Sequence, residues 1–99
     1  MSSDDLILPQ LLELLCDLYQ DTEGFLERTD EAQLWYNRGY ANAMIDTLSR
    51  MGYAKQVTGA VDPDAADVIV GQELLPWGKA YGHGWEMGRK ETYEVMREP

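Results

Sequence analysis

The stretch Tyr36-Asn37-Arg38-Gly39-Tyr40-Ala41-Asn42-Ala43-Met44-Ile45-Asp46-Thr47-Leu48-Ser49-Arg50-Met51 decides the fold. Within it Tyr36, Gly39, Tyr40, Ala43, Met44, Thr47, Leu48 and Met51 recur at three and four residues, the spacing of one helix face. Thr29 or Asp30 is placed to cap this helix, the acids Asp30 and Glu31 suit its positive end, and Gly52 ends it. The spacing predicts the longest helix of the chain, over 30–51.

A second segment reads like the first. Tyr81-Gly82-His83-Gly84-Trp85-Glu86-Met87-Gly88 aligns with Tyr36–Ala43 in a shared pattern of Tyr, any two, Gly, aromatic, any two, small. A glycine inside a helix costs roughly 1 kcal/mol relative to alanine. Gly39, Gly82, Gly84 and Gly88 together cost several times that, so something compensates. Small residues four apart let two backbones approach closely, as small-xxx-small pairs do in membrane helices. Gly39 and Ala43 would then cross Gly84 and Gly88, within one chain or between two copies in a homodimer. The alternative is that these glycines mark kinks or a broken helix.

The remaining segments complete a helical reading. Leu8, Leu11, Leu12, Leu15, Leu18 and Tyr19 form a stripe that predicts a helix over 9–20, with Pro9 confined to its first turn and Asp21–Gly24 as its exit. Residues 53–61 are weakly patterned and read as a loop or a short strand. Asp62-Pro63-Asp64 reads as the start of a short helix ending near Gly71, although β-branched Val68-Ile69-Val70 also suits a strand. Pro76 opens a final helix to about Met96, with Trp77, Tyr81, Gly84, Trp85, Gly88 and Met96 as its stripe and Arg89, Lys90 and Arg97 towards its negative end. The expectation is an all-α bundle forming one domain over 1–99, with three longer helices and one short one.

Charge is unevenly placed along the 99 residues. Nine acids stand against Arg28 alone in residues 1–31, a net of −8 out of −10 for the chain. Residues 32–61 carry +2, residues 62–76 carry −4, and the remainder balances. A surface of one sign repels nucleic acid and anionic lipid and attracts basic partners, so direct nucleic-acid binding is not expected. No apolar run reaches the length that spans a membrane. The acidic start and the single Cys16 point to a reduced, cytoplasmic setting.

Chemistry-bearing patterns are scarce. His83, the only histidine, lies between glycines and reads as a surface or interface residue, and Cys16 reads as a small apolar residue among leucines. No metal-ligand spacing, phosphate loop, dinucleotide fingerprint or nucleophile motif is present, so the expectation is a protein without catalytic residues, metal or cofactor. The acids are more informative. Glu13, Asp17 and Asp21 stand four apart, as do Glu23, Glu27 and Glu31, and like charges at that spacing in a helix repel. They read either as a linear negative array resembling a nucleic-acid backbone or as a solubility device. The aromatics are the other signal: all but Phe25 are Trp or Tyr, residue types that dominate interfaces. Trp35, Tyr36, Trp77 and Trp85 are accordingly candidate contacts with a partner or a second copy, or plain core.

The segment Ala32-Gln33-Leu34-Trp35-Tyr36-Asn37-Arg38-Gly39-Tyr40-Ala41 resembles small orphan accessory proteins encoded by bacteriophages, particularly those of actinobacteria, which carry a Tyr-x-x-Gly-Tyr-Ala helix in a short acidic chain. The resemblance covers this segment only and carries over no functional residue. It implies an accessory protein acting inside a bacterial cell by binding a host factor. The resulting expectation is a non-enzymatic inhibitor of a basic or nucleic-acid-binding protein; the alternative is a self-assembling structural protein.

Overall fold

Among the described residues four α-helices form: α1 (Ser3–Asp21), α2 (Ala32–Leu48), α3 (Ala54–Ala60) and α4 (Pro76–Arg97). The computed structural model describes residues 3–65 and 67–97, with side chains from Ile7 onward, and among these no strand forms. The chain is all-α.

The central element is α2. Tyr19 of α1 meets Asn42, and Thr22 and Phe25 just beyond the helix meet Arg38 and Trp35, so α1 runs antiparallel to α2. On the other side Trp35 meets Trp77, Tyr36 meets Gly84 and Tyr40 meets Gly88, so α4 runs parallel to α2. A parallel pair needs a connection that returns the length of the helix, and residues 49–75 supply it.

That return begins at Gly52, whose φ of 100° lies in the left-handed region and breaks a π-helical turn over Ser49–Tyr53. Residues 54–60 are helix α3, not loop or strand. The helix is only two turns long and is anchored by one fully buried residue, Val57, so no stripe could show. Among the described residues the expected helix after Asp62 does not form: Asp64 turns its carboxylate to Arg38 and Asn42 and its N–H to the Tyr19 hydroxyl. Residues 67–75 instead make successive turns, including Val70 N–H to the Asp67 carbonyl at 3.0 Å and Gln72 N–H to that of Ile69 at 2.9 Å. Position 66 of the expected helix lies outside the described residues.

At the first helix, α1 starts at Ser3, so Pro9 sits inside the helix rather than in its first turn. An internal proline costs a hydrogen bond and some steric strain. Ile7 and Leu8 pack against the main core in this extended helix, which offsets that cost. The second helix also departs from expectation at its start. Glu31 takes the cap position, and no side chain caps the turn.

Two apolar clusters flank α2. Leu15, Ala41, Met44, Leu48, Val57 and Met96 form the larger one, and Phe25, Trp35 and Tyr81 the smaller. The single stripe read for α2 is therefore incomplete. Trp35, Arg38, Ala41 and Asn42 are buried as well, because partners cover more than one face of this helix.

Candidate functional site

The two Tyr-x-x-Gly segments meet each other. A Cβ on Gly39 would lie 2.9 Å from the Tyr81 carbonyl carbon, and one on Gly84 would lie 2.7 Å from that of Tyr36. Both carbonyl oxygens are closer still. Gly88 repeats the arrangement one turn on, where a Cβ would stand 2.9 Å from the Tyr40 Cα. The contacts are reciprocal: each glycine touches the backbone three residues before its counterpart. Ala43 is fully buried on α2. Gly82 is different, with nothing within 4 Å of an added Cβ. The crossing is internal to one chain.

A polar junction lies on another side of α2. Arg38 pairs with Asp64 through both guanidinium edges, Nε to Oδ2 at 2.8 Å and Nη2 to Oδ1 at 3.0 Å. Its Nη1 donates to the Tyr19 carbonyl at 3.0 Å and to the Thr22 hydroxyl at 2.9 Å. The guanidinium also stacks 3.6 Å from the Tyr19 ring centroid. Asn42 donates to Asp64 at 2.9 Å and to the Tyr81 hydroxyl at 2.7 Å, and accepts a short hydrogen bond from the Tyr19 hydroxyl. The Asp64 N–H closes the ring by donating to that same tyrosine oxygen at 3.0 Å. Helices α1, α2 and α4 and the return segment are thus joined by one network.

The electrostatics follow from this packing. Burial pushes the Asp64 carboxyl up, but donation from Arg38 and Asn42 and the guanidinium charge outweigh it, and the net shift is downward. Burial raises the Tyr19 hydroxyl to about 12 and moves Tyr81 in the same direction. Tyr40 is also raised, by burial and by donating to Glu91 at 2.5 Å. An anionic carboxylate this fully engaged is a clamp rather than a proton acceptor. Sequence reading assigned Asp64 to a helix start and missed the junction. The available signal was Arg38 and Asn42, one turn apart among Gly39, Tyr40, Ala41, Ala43 and Met44, since buried polar groups require partners.

Two clefts open beside Trp85. One, of about 240 Å³, lies over the junction, with Asn42, Ile45, Asp64 and Tyr81 in its lining. The other, of about 390 Å³, lies between the C-terminal halves of α2 and α4.

The candidate contact residues fall into separate groups. Glu13, Asp17 and Asp21 are exposed on α1, and Leu14, 41% exposed, shares a face with the two aspartates. Glu23, Glu27 and Glu31 are exposed too, but they lie in a turn, a 3₁₀ turn (Phe25–Glu27) and a cap, so their spacing of four forms no helical row. Only Glu31 of the six is ion-paired among the described residues, with Arg28 at 2.9 Å. Trp35 is corrected from contact candidate to core: it is fully buried, stacks edge-on to Phe25 at 4.9 Å and donates to the Arg28 carbonyl. Tyr36, Trp77 and Trp85 are half-buried. His83 is exposed, and half-buried Cys16 donates weakly to the Ala60 carbonyl at 3.3 Å. Among the described residues no helix is long and apolar enough to cross a membrane.

No family model, curated protein or solved structure matches this chain.

Proposed function

We propose that the protein is a non-enzymatic binding module that docks on a basic protein surface through the outer face of α1 and the turns that follow it. Glu13, Asp17, Asp21, Glu23 and Glu27, without an ion pair among the described residues, are the anionic contacts, and Glu31 lies at the edge. Leu14 and Leu26, 41% and 43% exposed, supply apolar contact within the acidic rim. The observation that carries the reading is the exposure of these acids, with no cation among the described residues bonded to any of them except Glu31. Charge placed so steers association and speeds it at low salt. The concrete form is an inhibitor, phage-encoded and acting in a bacterial cytoplasm, that covers a surface whose usual ligand is nucleic acid. The self-assembly alternative draws on the glycine stripes and on the aromatics: Gly39, Gly84 and Gly88 are taken up inside the chain and Trp35 in its core, which leaves half-buried Tyr36, Trp77 and Trp85 to that alternative.

The test is capture from bacterial lysate with the immobilised chain at low and high salt. A specific basic protein should be retained at low salt and released at high salt. Asp17→Lys with Asp21→Lys should weaken its binding by more than about tenfold without unfolding the protein. Capture that survives both the reversal and high salt would show the acids to be a solubility device.

A further inference from the structure

The cleft between the C-terminal halves of α2 and α4 is lined by Asp46, Thr47, Arg50, Trp85, Arg89 and Tyr93. Its volume of about 390 Å³ is that of a small-molecule pocket. Two arginines face one aspartate here, so the cleft is locally positive on a chain of net charge −10. Asp46 is engaged by the Arg50 Nε at 2.9 Å, which leaves the rest of that guanidinium with donors to spare. Arg89 has no ion pair among the described residues. At the floor, Thr47 is fully buried and its Oγ1 has no hydrogen-bond partner among the described residues. A threonine inside a helix ordinarily satisfies its hydroxyl on the carbonyl one turn back, as Thr58 does at 3.0 Å. A buried hydroxyl left unmatched is costly and calls for an explanation.

Donors outnumber acceptors in this cleft, and its apolar walls are the rings of Trp85 and Tyr93. We propose that it binds a small ligand that joins an oxyanion, phosphate or carboxylate, to a flat ring. Arg89 is the principal anion contact and Arg50 the second; the Thr47 hydroxyl, closed over in the free chain, joins the cradle as the side chains above it part around the ligand. The ring lies along Trp85 and Tyr93, since planar rings stack on aromatic side chains irrespective of sequence or substituent. This site is on a different face from the acidic residues of α1 and does not rest on the docking reading.

The test is two-dimensional proton–nitrogen NMR of the whole chain, following the Trp85 indole and Arg89 Nε–H signals. Four probes are titrated separately: adenosine 5′-monophosphate, benzoate, inorganic phosphate and adenosine. At least one of the two ring-bearing anions should move both signals, and should bind more than about tenfold tighter than adenosine or inorganic phosphate alone. Movement with the nucleotide only assigns a phosphate ligand; movement with benzoate only assigns a carboxylate. Arg89→Ala should weaken that binding by more than about tenfold. Thr47→Val keeps the shape and removes only the unmatched hydroxyl, so it should weaken binding several-fold while the protein melts no lower than wild type. The proposal is overturned if no probe moves either signal at about 10 mM, a level that still detects weak binding. It is equally overturned if adenosine or inorganic phosphate alone binds as tightly as the ring-bearing anion, or if both variants bind as wild type does.

Discussion

The α2–α4 seam and the Arg38–Asp64 junction hold different neighbours against one helix, and they do so by opposite means. At the seam the side chains of Gly39, Gly84 and Gly88 are missing, so backbone rests on backbone. No charge takes part, and no neighbour there has a flexible end that can give way. At the junction an irregular segment lies against the helix, and its polar groups must be satisfied one by one. Arg38 and Asn42 donate to the Asp64 carboxylate, Arg38 donates to the Tyr19 carbonyl, and the Asp64 N–H donates to the Tyr19 hydroxyl. Two regular helices can be fitted together by shape alone. A loop is fitted by directional bonds, which makes it sensitive to protonation.

The contrast is broken most sharply at the seam. Gly84→Leu would drive a branched side chain into the Tyr36 backbone, and the expected loss is about 4 kcal/mol, close to the whole stability of a small domain. Denaturant titration reads it. A midpoint equal to that of wild type would mean that the helices do not touch there. The next largest effect lies at the junction. Arg38→Met leaves the Asp64 carboxylate, 17% exposed, without its cation, and the expected loss is about 3 kcal/mol by the same titration. A negligible loss would mean that the network holds nothing in place.

Acid and alkali separate the two regions further. The Asp64 carboxyl is lowered in the folded chain, so its contribution is complete above the ordinary carboxylate value of 3.8 and is lost as pH falls through the depressed one. The Tyr19 hydroxyl is raised, so its contribution is complete below 10.0 and is lost as pH rises towards about 12. Melting temperature followed across pH should therefore fall in both windows, and Arg38→Met should flatten the acid limb. The smallest effect has the opposite sign. Gly82→Ala meets nothing within 4 Å, so it should stabilise the chain by about 0.5–1 kcal/mol through helix propensity.

The seam was legible because small residues leave a period. Tyr-x-x-Gly-aromatic occurs twice, and the structure places each copy on a long helix whose span the apolar spacing already outlined. What the pattern left open was whether the copies meet in one chain or two, since spacing says nothing of connectivity. The pattern also grouped Gly82 with the others, although it faces open space. The junction was illegible for a different reason. Its partners are separated by up to 45 residues, as between Tyr19 and Asp64, and no local rule links them. Asp62-Pro63-Asp64 carries every local mark of a helix start, and the tertiary demand of Arg38 and Asn42 for an acceptor prevails over them. For the surface, exposure of the acids agreed with their composition, whereas Trp35 shows that an interface-prone residue type says little about where it lies.

The central claim is that the two repeated segments cross in parallel, backbone to backbone, within one chain. Proton–proton NOEs between α-hydrogens test it directly. A Cβ on Gly39 would sit 3.1 Å from the Tyr81 Cα, and one on Gly84 at 3.1 Å from the Tyr36 Cα. The glycine hydrogens in those positions should therefore give two reciprocal cross-peaks, Gly39 to Tyr81 and Gly84 to Tyr36. Both should persist when labelled chain is diluted into an excess of unlabelled chain. Absence of the pair, or its loss on mixing with unlabelled chain, would contradict the crossing.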